Sequence, residues 1–200
     1  MKTILITGVA GFIGSNLAQY LVSKDKYRII GIDNLSYGLI EQVPKEIDFH
    51  KIDIRDKSIQ SLFRNVDCVF HLAAKNCISD CQSDPDETID INIKGSINIF
   101  KASVENNVNR IIYSDSSAVY EGSTLLPTPE SEVYPISNYA ISKQTGENFL
   151  KSITAQQFTD YTSLRYFNVY GPRQDYRRSI VSKLLSSYRL KKIFSSLFTN

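Results

Sequence analysis

Residues Thr3 to Asn16, TILITGVAGFIGSN, constrain this chain more than any other stretch. The apolar run Ile4, Leu5, Ile6 predicts a buried strand that stops at Thr7-Gly8. After two further glycines an amphipathic helix is expected, with Ile13, Leu17, Tyr20 and Leu21 along one face. Strand, glycine-rich turn and helix in that order form the front of a βαβ dinucleotide-binding unit. Gly8 can take positive φ in the tight turn, and Gly11, lacking a Cβ, lets backbone N–H groups approach a pyrophosphate. Gly14 lets the helix lie close on the strand. The helix N-terminus then offers unpaired N–H groups and a positive dipole end to the phosphates.

The spacing is G-x-x-G-x-x-G, and Asp33 gives it a second support. Asp33 lies nineteen residues past Gly14, at the end of a second apolar run from Arg28 to Ile32. A carboxylate there can hold an adenosine ribose through its hydroxyls and repels a 2′-phosphate, so NAD is expected over NADP. The opening Met1-Lys2 and apolar residues also resemble a short secretory leader. Evenly spaced glycines inside the would-be apolar core, and Asp33, argue against that reading.

Two hundred residues suffice for one well-packed domain and little more. A net charge of +2 implies no general attraction to nucleic acid or to an anionic membrane. No apolar run reaches the ~18 residues that span a bilayer. Cys68, Cys77 and Cys81 are odd in number, and His71 is the only histidine within reach of them. Reduced thiols in a cytoplasmic protein are expected, with neither a disulfide nor a metal site.

Asn34-Leu35-Ser36-Tyr37-Gly38 is a polar loop placed to wrap the adenosine half. Ile47 to Ile52 predicts a third strand, ending in Asp53-Ile54, with a helix from about Asp56 to Phe63 after it. Val66 to Leu72 is a fourth strand, of the continuous apolar kind that suits a parallel sheet covered on both faces. Pro85 to Asn106 predicts a long helix with Ile89, Ile93, Ile97, Phe100 and Val104 on its apolar stripe and Asn92 off it. Arg110 to Ser114 is a fifth strand, and Tyr120 to Ser137, with Pro127, Pro129 and Pro135, is a loop. A helix from Tyr139 to Phe158 and a strand from Tyr161 to Phe167 complete the pattern. Strands alternating with helices predict an α/β fold, a doubly wound parallel sheet of Rossmann type.

Tyr139-Ala-Ile-Ser-Lys143 carries the chemistry. Positions i and i+4 of a helix share a face about 6 Å apart. An ammonium there favours the phenolate and lowers the tyrosine pKa. Bringing a free tyrosine from ~10 to about 7 needs ~4 kcal/mol, which Lys143 and a positively charged nicotinamide could supply together in a dry site. Tyr139 would then take a proton from a substrate hydroxyl as hydride leaves for the cofactor. Taken alone, the same spacing also fits an ordinary surface pair. A third member belongs at the end of the fifth strand, because open α/β sheets hold ligands beyond the carboxyl ends of their strands. Ser116 is placed there to orient the reacting hydroxyl toward Tyr139; the alternative is a serine-rich turn bonding its own backbone.

With TGVAGFIG, DNLSYG, Asp53-Ile54, HLAA, Asn92 to Gly95, SDSSAVY, YAISK and LRYFNVYGPRQ in this order, the chain resembles the extended short-chain dehydrogenase/reductases. It looks most like their nucleotide-sugar epimerase and dehydratase branch, over residues 1 to about 175. The resemblance implies tightly held NAD. Around it would lie Gly8, Gly11, Phe12, Ile13, Gly14, Asp33, Asn34, Leu35, Ser36, Gly38, Asp53, Ile54, Leu72, Ala73, Ala74, Asn92, Ser114, Tyr139, Lys143, Tyr166 and Phe167. It implies Ser116, Tyr139 and Lys143 as catalytic residues, and Ser116, Ser117, Asn168 and Arg173 as contacts of a nucleotide-sugar substrate, most readily a UDP-hexose. It also implies a homodimer through helices 85–106 and 139–158.

Three positions depart from the family pattern. Asp115 stands where a small residue is usual, Glu121 where VYG has its glycine, and Lys75-Asn76 where glutamine and a small residue are commoner. The family also continues for roughly another hundred residues, a size typical of a small domain. Residues 1–167 are therefore expected to form the NAD-binding domain, and 168–200 the start of a substrate lobe that is largely missing. Arg178 to Lys192 predicts a basic helix with Ile180, Val181, Leu184, Leu185 and Tyr188 as its apolar face. It reads as the first helix of that lobe or, through Arg177, Arg178, Lys183, Arg189, Lys191 and Lys192, as a membrane-surface helix.

Overall fold

A computed structural model describes residues 1–174 and Leu184. The chain divides into two compact units, Met1–Phe167 and Asn168–Asn200. The basic helix expected at 178–192 and the tail after it lie outside the described residues, apart from Leu184, which is helical.

In the first unit six parallel strands, β1 (Lys2–Thr7), β2 (Tyr27–Asp33), β3 (Asp48–Lys51), β4 (Cys68–His71), β5 (Arg110–Ser116) and β6 (Asp160–Tyr166), run in the order β3-β2-β1-β4-β5-β6. Strand order reverses beside β1, between β2 and β4, the place where doubly wound sheets leave a crevice for a ligand. Helix α1 (Phe12–Val22) covers one face through a cluster of Ile4, Ile6, Val9, Ala18, Leu21, Ile29 and Ile47. The larger cluster on the other side gathers Leu5, Ile32, Phe63, Val69, Ile99, Phe100, Ile111, Tyr113 and Leu150, drawing on α4 (Ser96–Glu105) and α5 (Asn138–Thr154). Each such side chain removed from water stabilises the fold by about 1.5–3 kcal/mol. Both faces of β1 are thus buried, which is why its run is continuously apolar.

Several elements differ from their sequence-based expectation. The helix expected from Asp56 is a 3-10 segment, Lys57–Phe63, opened by the Asp56 carboxylate accepting from Ser58 N–H. Helix α5 stops at Thr154 rather than Phe158, and Phe158 is exposed. Strand β5 runs two residues further than expected, so Ser116 is its last residue. Helix α2 (Ile78–Ser83) was not foreseen.

The long helix at 85–106 has three parts: α3 (Pro85–Thr88), a π-helical stretch Ile89–Gly95, and α4. The i→i+5 bonding of the π stretch slows the rotation of side chains around the axis. A stripe laid out at α-helical spacing therefore slips out of phase. Ile89 is 44 % exposed, whereas Asn92, Ser96, Ile99, Phe100 and Ser103 face inward. In α1 the buried face is Gly14, Ser15, Ala18 and Leu21, and Tyr20 is exposed, because the close approach permitted by Gly14 selects small residues for the contact.

Candidate active site

The glycine turn has the geometry its sequence implies. Gly8 has φ +71°, and a Cβ on it would lie 2.8 Å from the Ala73 nitrogen. A Cβ on Gly14 would overlap the Gly8 carbonyl. Gly11 is the N-cap of α1, no side chain caps that end, and its first turn carries no acidic residue. The first N–H groups of α1 are thus left for an anion. Phe12 and Ile13, which carry two of them, are half-buried there.

Asp33 closes this turn from the β2 side. Its Oδ2 accepts from Ala10 N–H at 3.0 Å and its Oδ1 from Leu35 N–H at 2.8 Å. Burial raises its pKa, and the two backbone donors pull it back down. Each oxygen keeps a second lone pair for a ribose hydroxyl. The following loop lies against the turn: Leu39 N–H donates to the Ala10 carbonyl at 3.1 Å, and a Cβ on Gly38 would come within 2.6 Å of the Ala10 Cβ. Ser36, exposed, donates its N–H to Asn34 Oδ1 at 3.0 Å. Asn34 in turn donates to Asp53 Oδ2 at 2.9 Å, and Arg55 clasps the same carboxylate, holding its pKa down at about 2. The Ile54 side chain is buried beside Gly95. Asn34 and Asp53 are therefore brought together, and Ile54 is a core residue.

Across the crevice, Leu72 and Ala73 N–H each donate to Thr7 Oγ1 at 3.1 Å. Thr7 Oγ1 lies 2.8 Å from His71 Nδ1, and His71 Nε2 lies 2.9 Å from Ser96 Oγ. Ser96 gives its own proton to the Asn92 carbonyl at 2.6 Å, so it accepts from Nε2–H. Thr7 then donates to Nδ1. This assignment of protons follows from the network and makes His71 neutral; burial lowers its pKa to about 3.

Asn92 is tied to two segments. Its amide accepts from Lys75 N–H at 2.8 Å and donates to the Lys75 carbonyl and Ser142 Oγ, both at 3.0 Å. These bonds pin the loop after β4 to α5. Lys75 itself is buried and bonds Glu87 at 2.6 Å. Ala74, half-buried, sits between Ala73 and this pinned residue.

Ser116 ends β5, and Tyr139 and Lys143 lie one turn apart on α5, which packs against that strand. Ser137 caps α5 by accepting from Ala140 N–H at 3.2 Å, two residues before the cap's dependant Tyr139 would otherwise fray. Glu121 fixes that entry by accepting from Ser137 N–H at 2.8 Å and Ser137 Oγ at 2.9 Å. The Ser116 hydroxyl accepts from Ala118 N–H at 3.2 Å, and it acts on the Tyr139 phenol to lower its pKa. Lys143 is 3 % exposed, with its ammonium 4.6 Å above the centre of the Tyr113 ring.

Without the nicotinamide charge, the Tyr139 pKa is raised. Burial is the largest cause and the Asp115 charge adds to it, while the Ser116 hydroxyl works the other way. Burial also lowers Lys143 to about 8. A dry site penalises both charged forms, so the phenolate needs a further positive charge to form.

Ser114 and Ser117 are half-buried on either side of Ser116. Tyr166 is half-buried, and Phe167, at the end of the first unit, is exposed. Asn168 and Arg173 belong to the second unit. Sequence reasoning missed Thr7, Ala10, Ser142 and Glu87, whose roles are contacts between distant segments. Lys75, Asp115 and Glu121 did carry a signal, as departures from the family pattern.

A reversing parallel sheet, a glycine turn against an uncapped helix end and a carboxylate at the end of β2 define a dinucleotide-binding protein. The sequence model of the NAD dependent epimerase/dehydratase family matches residues 4–197, and the chain belongs to that family. It is 36 % identical over 176 residues to a putative UDP-glucose 4-epimerase of Methanocaldococcus jannaschii, covering 86 % of this chain and 57 % of that protein. Its structure matches the UDP-N-acetylglucosamine 4-epimerase of Methanobrevibacter ruminantium, solved with UDP-N-acetylmuramic acid, at TM-score 0.90 and 35 % identity, over 95 % of this chain and 63 % of that one. It matches the UDP-glucose 4-epimerase of Thermus thermophilus, solved with NAD, at TM-score 0.84 and 30 % identity, over 92 % and 60 %. The chain thus spans a little over half the length of these relatives. The cofactor is NAD, and the turn, the open helix end and the Asp33 carboxylate fit its pyrophosphate and adenosine ribose.

Proposed function

We propose that this chain belongs to an enzyme that inverts C4 of a nucleotide-activated hexose, of the UDP-glucose or UDP-N-acetylglucosamine type. The observation that supports this is Ser116 at the carboxyl end of β5, acting on the Tyr139 phenol, with buried Lys143 one turn further along the same helix. NAD, when bound, supplies a reversible hydride acceptor. The Tyr139 oxygen takes the C4 hydroxyl proton and later returns it, Ser116 orients that hydroxyl, and Lys143 gives the counter-charge and a contact to the nicotinamide ribose. Dehydration, which the family also performs, is disfavoured: the carboxylate pair of the family's dehydratases is replaced by Ser117 and Ala118, neither of which serves as acid or base at neutral pH. The test is to load the protein with NAD, add UDP-galactose or UDP-N-acetylglucosamine, and follow the epimer by NMR. NAD binding with no epimer from either sugar would leave a dinucleotide-binding module without this activity.

Residues 1–167 read as the NAD-binding domain and residues 168–200 as the start of the substrate-binding part, with Asn168 and Arg173 as nucleotide contacts. A homodimer through the helices at 85–105 and 138–154 is supported by exposed Ile89, Ile141 and Phe149, at 44 %, 45 % and 41 %. A cytoplasmic location is supported by three free cysteines. Analytical ultracentrifugation reads the assembly directly: a monomer at tens of micromolar would sink the dimer.

A further inference from the structure

Asp115 is a carboxylate where the family pattern has a small residue, and it is 2 % exposed. Its place in the sheet is defined by register. It pairs with Arg165 across β5 and β6, and its Oδ2 lies 3.5 Å from Arg165 Nε and 3.5 Å from Ser163 Oγ. Oδ1 is buried with no hydrogen-bond partner. From α5, Lys143 and Glu147 face the same cluster: Arg165 bonds Glu147 at 2.9 Å, and Lys143 stands over the ring of Tyr113, two residues before Asp115 on β5. Four charges, Lys143, Asp115, Arg165 and Glu147, thus alternate in sign behind Tyr139. Arg165 faces Asp115 across the two strands, and Lys143, over the ring of Tyr113 two residues earlier on β5, is the second cation that acts on this carboxylate.

We propose that Asp115 is a positioning residue that keeps the Lys143 ammonium charged in the dry site and so sets the pH range over which Tyr139 can pass its proton. This rests on the roles given above to Tyr139 and Lys143. Every titratable group facing Asp115 bears on the sign. Burial raises the Asp115 pKa most and Glu147 adds to it, Lys143, the Ser116 backbone N–H and Arg165 oppose them, and it stands at about 6. Asp115 in turn raises the pKa of Lys143, offsetting part of its burial, and raises that of Tyr139 and of buried Tyr113. Cys81, the other group acting on Lys143, pushes it the same way.

The experiment follows the Lys143 side chain by NMR in the full chain labelled with 13C- and 15N-lysine, assigned with Lys143→Met. In the wild-type protein the Lys143 signal should inflect near pH 6 as Asp115 titrates, and again at about 8. In Asp115→Ser the first inflection disappears and the second moves down by ~1 unit or more, as expected on losing an opposite charge at close range. Asp115→Asn, which keeps the shape, should behave alike. If neither variant folds, the wild-type trace decides: a flat line through pH 5–7 overturns the proposal. An unmoved second inflection in a folded variant also overturns it. No cofactor or sugar is needed, so failure of the epimerase reading leaves this result standing or falling by itself. Where turnover is measurable, both limbs of the kcat profile move to lower pH in Asp115→Ser; a fall in kcat with the profile in place shows a structural defect only and overturns the proposal.

Discussion

The hydroxyl of Tyr113, a fully buried residue of β5, donates to the main-chain carbonyl of Lys143 at 3.2 Å. The core thereby holds α5 at the residue whose ammonium the chemistry needs. Gly146 makes this possible, since a Cβ there would lie 3.0 Å from Tyr113 Cζ and overlap its hydroxyl. Alanine in place of a helical glycine normally gains about 1 kcal/mol. Here Gly146→Ala should instead destabilise by about 1–3 kcal/mol through overpacking. Adding Tyr113→Phe, which removes the hydroxyl, should recover part of that loss. Urea unfolding of the two single variants and the double variant measures the coupling; independent, additive effects would contradict the contact.

Discrimination between cofactors should depend on Asp33. Asp33→Ala removes a charged hydrogen-bonding partner of the ribose worth about 1.5–3 kcal/mol, together with the repulsion of a 2′-phosphate. NAD affinity falls and the gap to NADP narrows. Calorimetric dissociation constants for both nucleotides check this, and a wild-type protein preferring NADP would refute it.

Tyr139→Phe should lower turnover by about 10²–10⁴-fold, the range of a lost general base, while leaving NAD affinity nearly unchanged. Lys143→Ala should weaken both, since it removes a ribose contact as well as the counter-charge. A Tyr139→Phe protein with most of its activity would mean that the proton leaves by another route.

His71 makes stability depend on acid. Its pKa is depressed to about 3 in the fold from an ordinary 6.5. Its neutral form therefore contributes fully above 6.5, and that contribution is lost as pH falls from there toward 3. The slope is about 1.4 kcal/mol per pH unit. Denaturant midpoints between pH 4 and 7 should show it, and His71→Asn should flatten it. An equal slope in both proteins would assign the effect to other groups.

The parts of this molecule that were legible in its sequence are those governed by local pattern. The strand positions follow from apolar runs, and the Gly8 turn from the need for positive φ. The Tyr139–Lys143 pair follows from helical spacing. Ile89 misled because the π stretch alters the period on which a stripe is read. The hydrogen bonds of Asn92 were not legible, because motif position says nothing of where an amide's hydrogen bonds go. Helical spacing also says nothing of the burial and of the Asp115 charge, both products of the tertiary fold, that raise the pKa of Tyr139. Glu121 and Lys75 stood out as departures, yet their partners, Ser137 and Glu87, became visible only in three dimensions.

Asp33 is gripped from both sides, by Ala10 and by Leu35, with no nucleotide needed to hold it. The entropy of ordering this carboxylate is therefore spent during folding, and an arriving adenosine meets a fixed receptor. Substitutions that loosen the loop at Leu35–Gly38 should accordingly weaken the cofactor while leaving the Asp33 carboxylate itself in place. Their signature is an added entropic penalty on association, with the enthalpy of the ribose contact preserved.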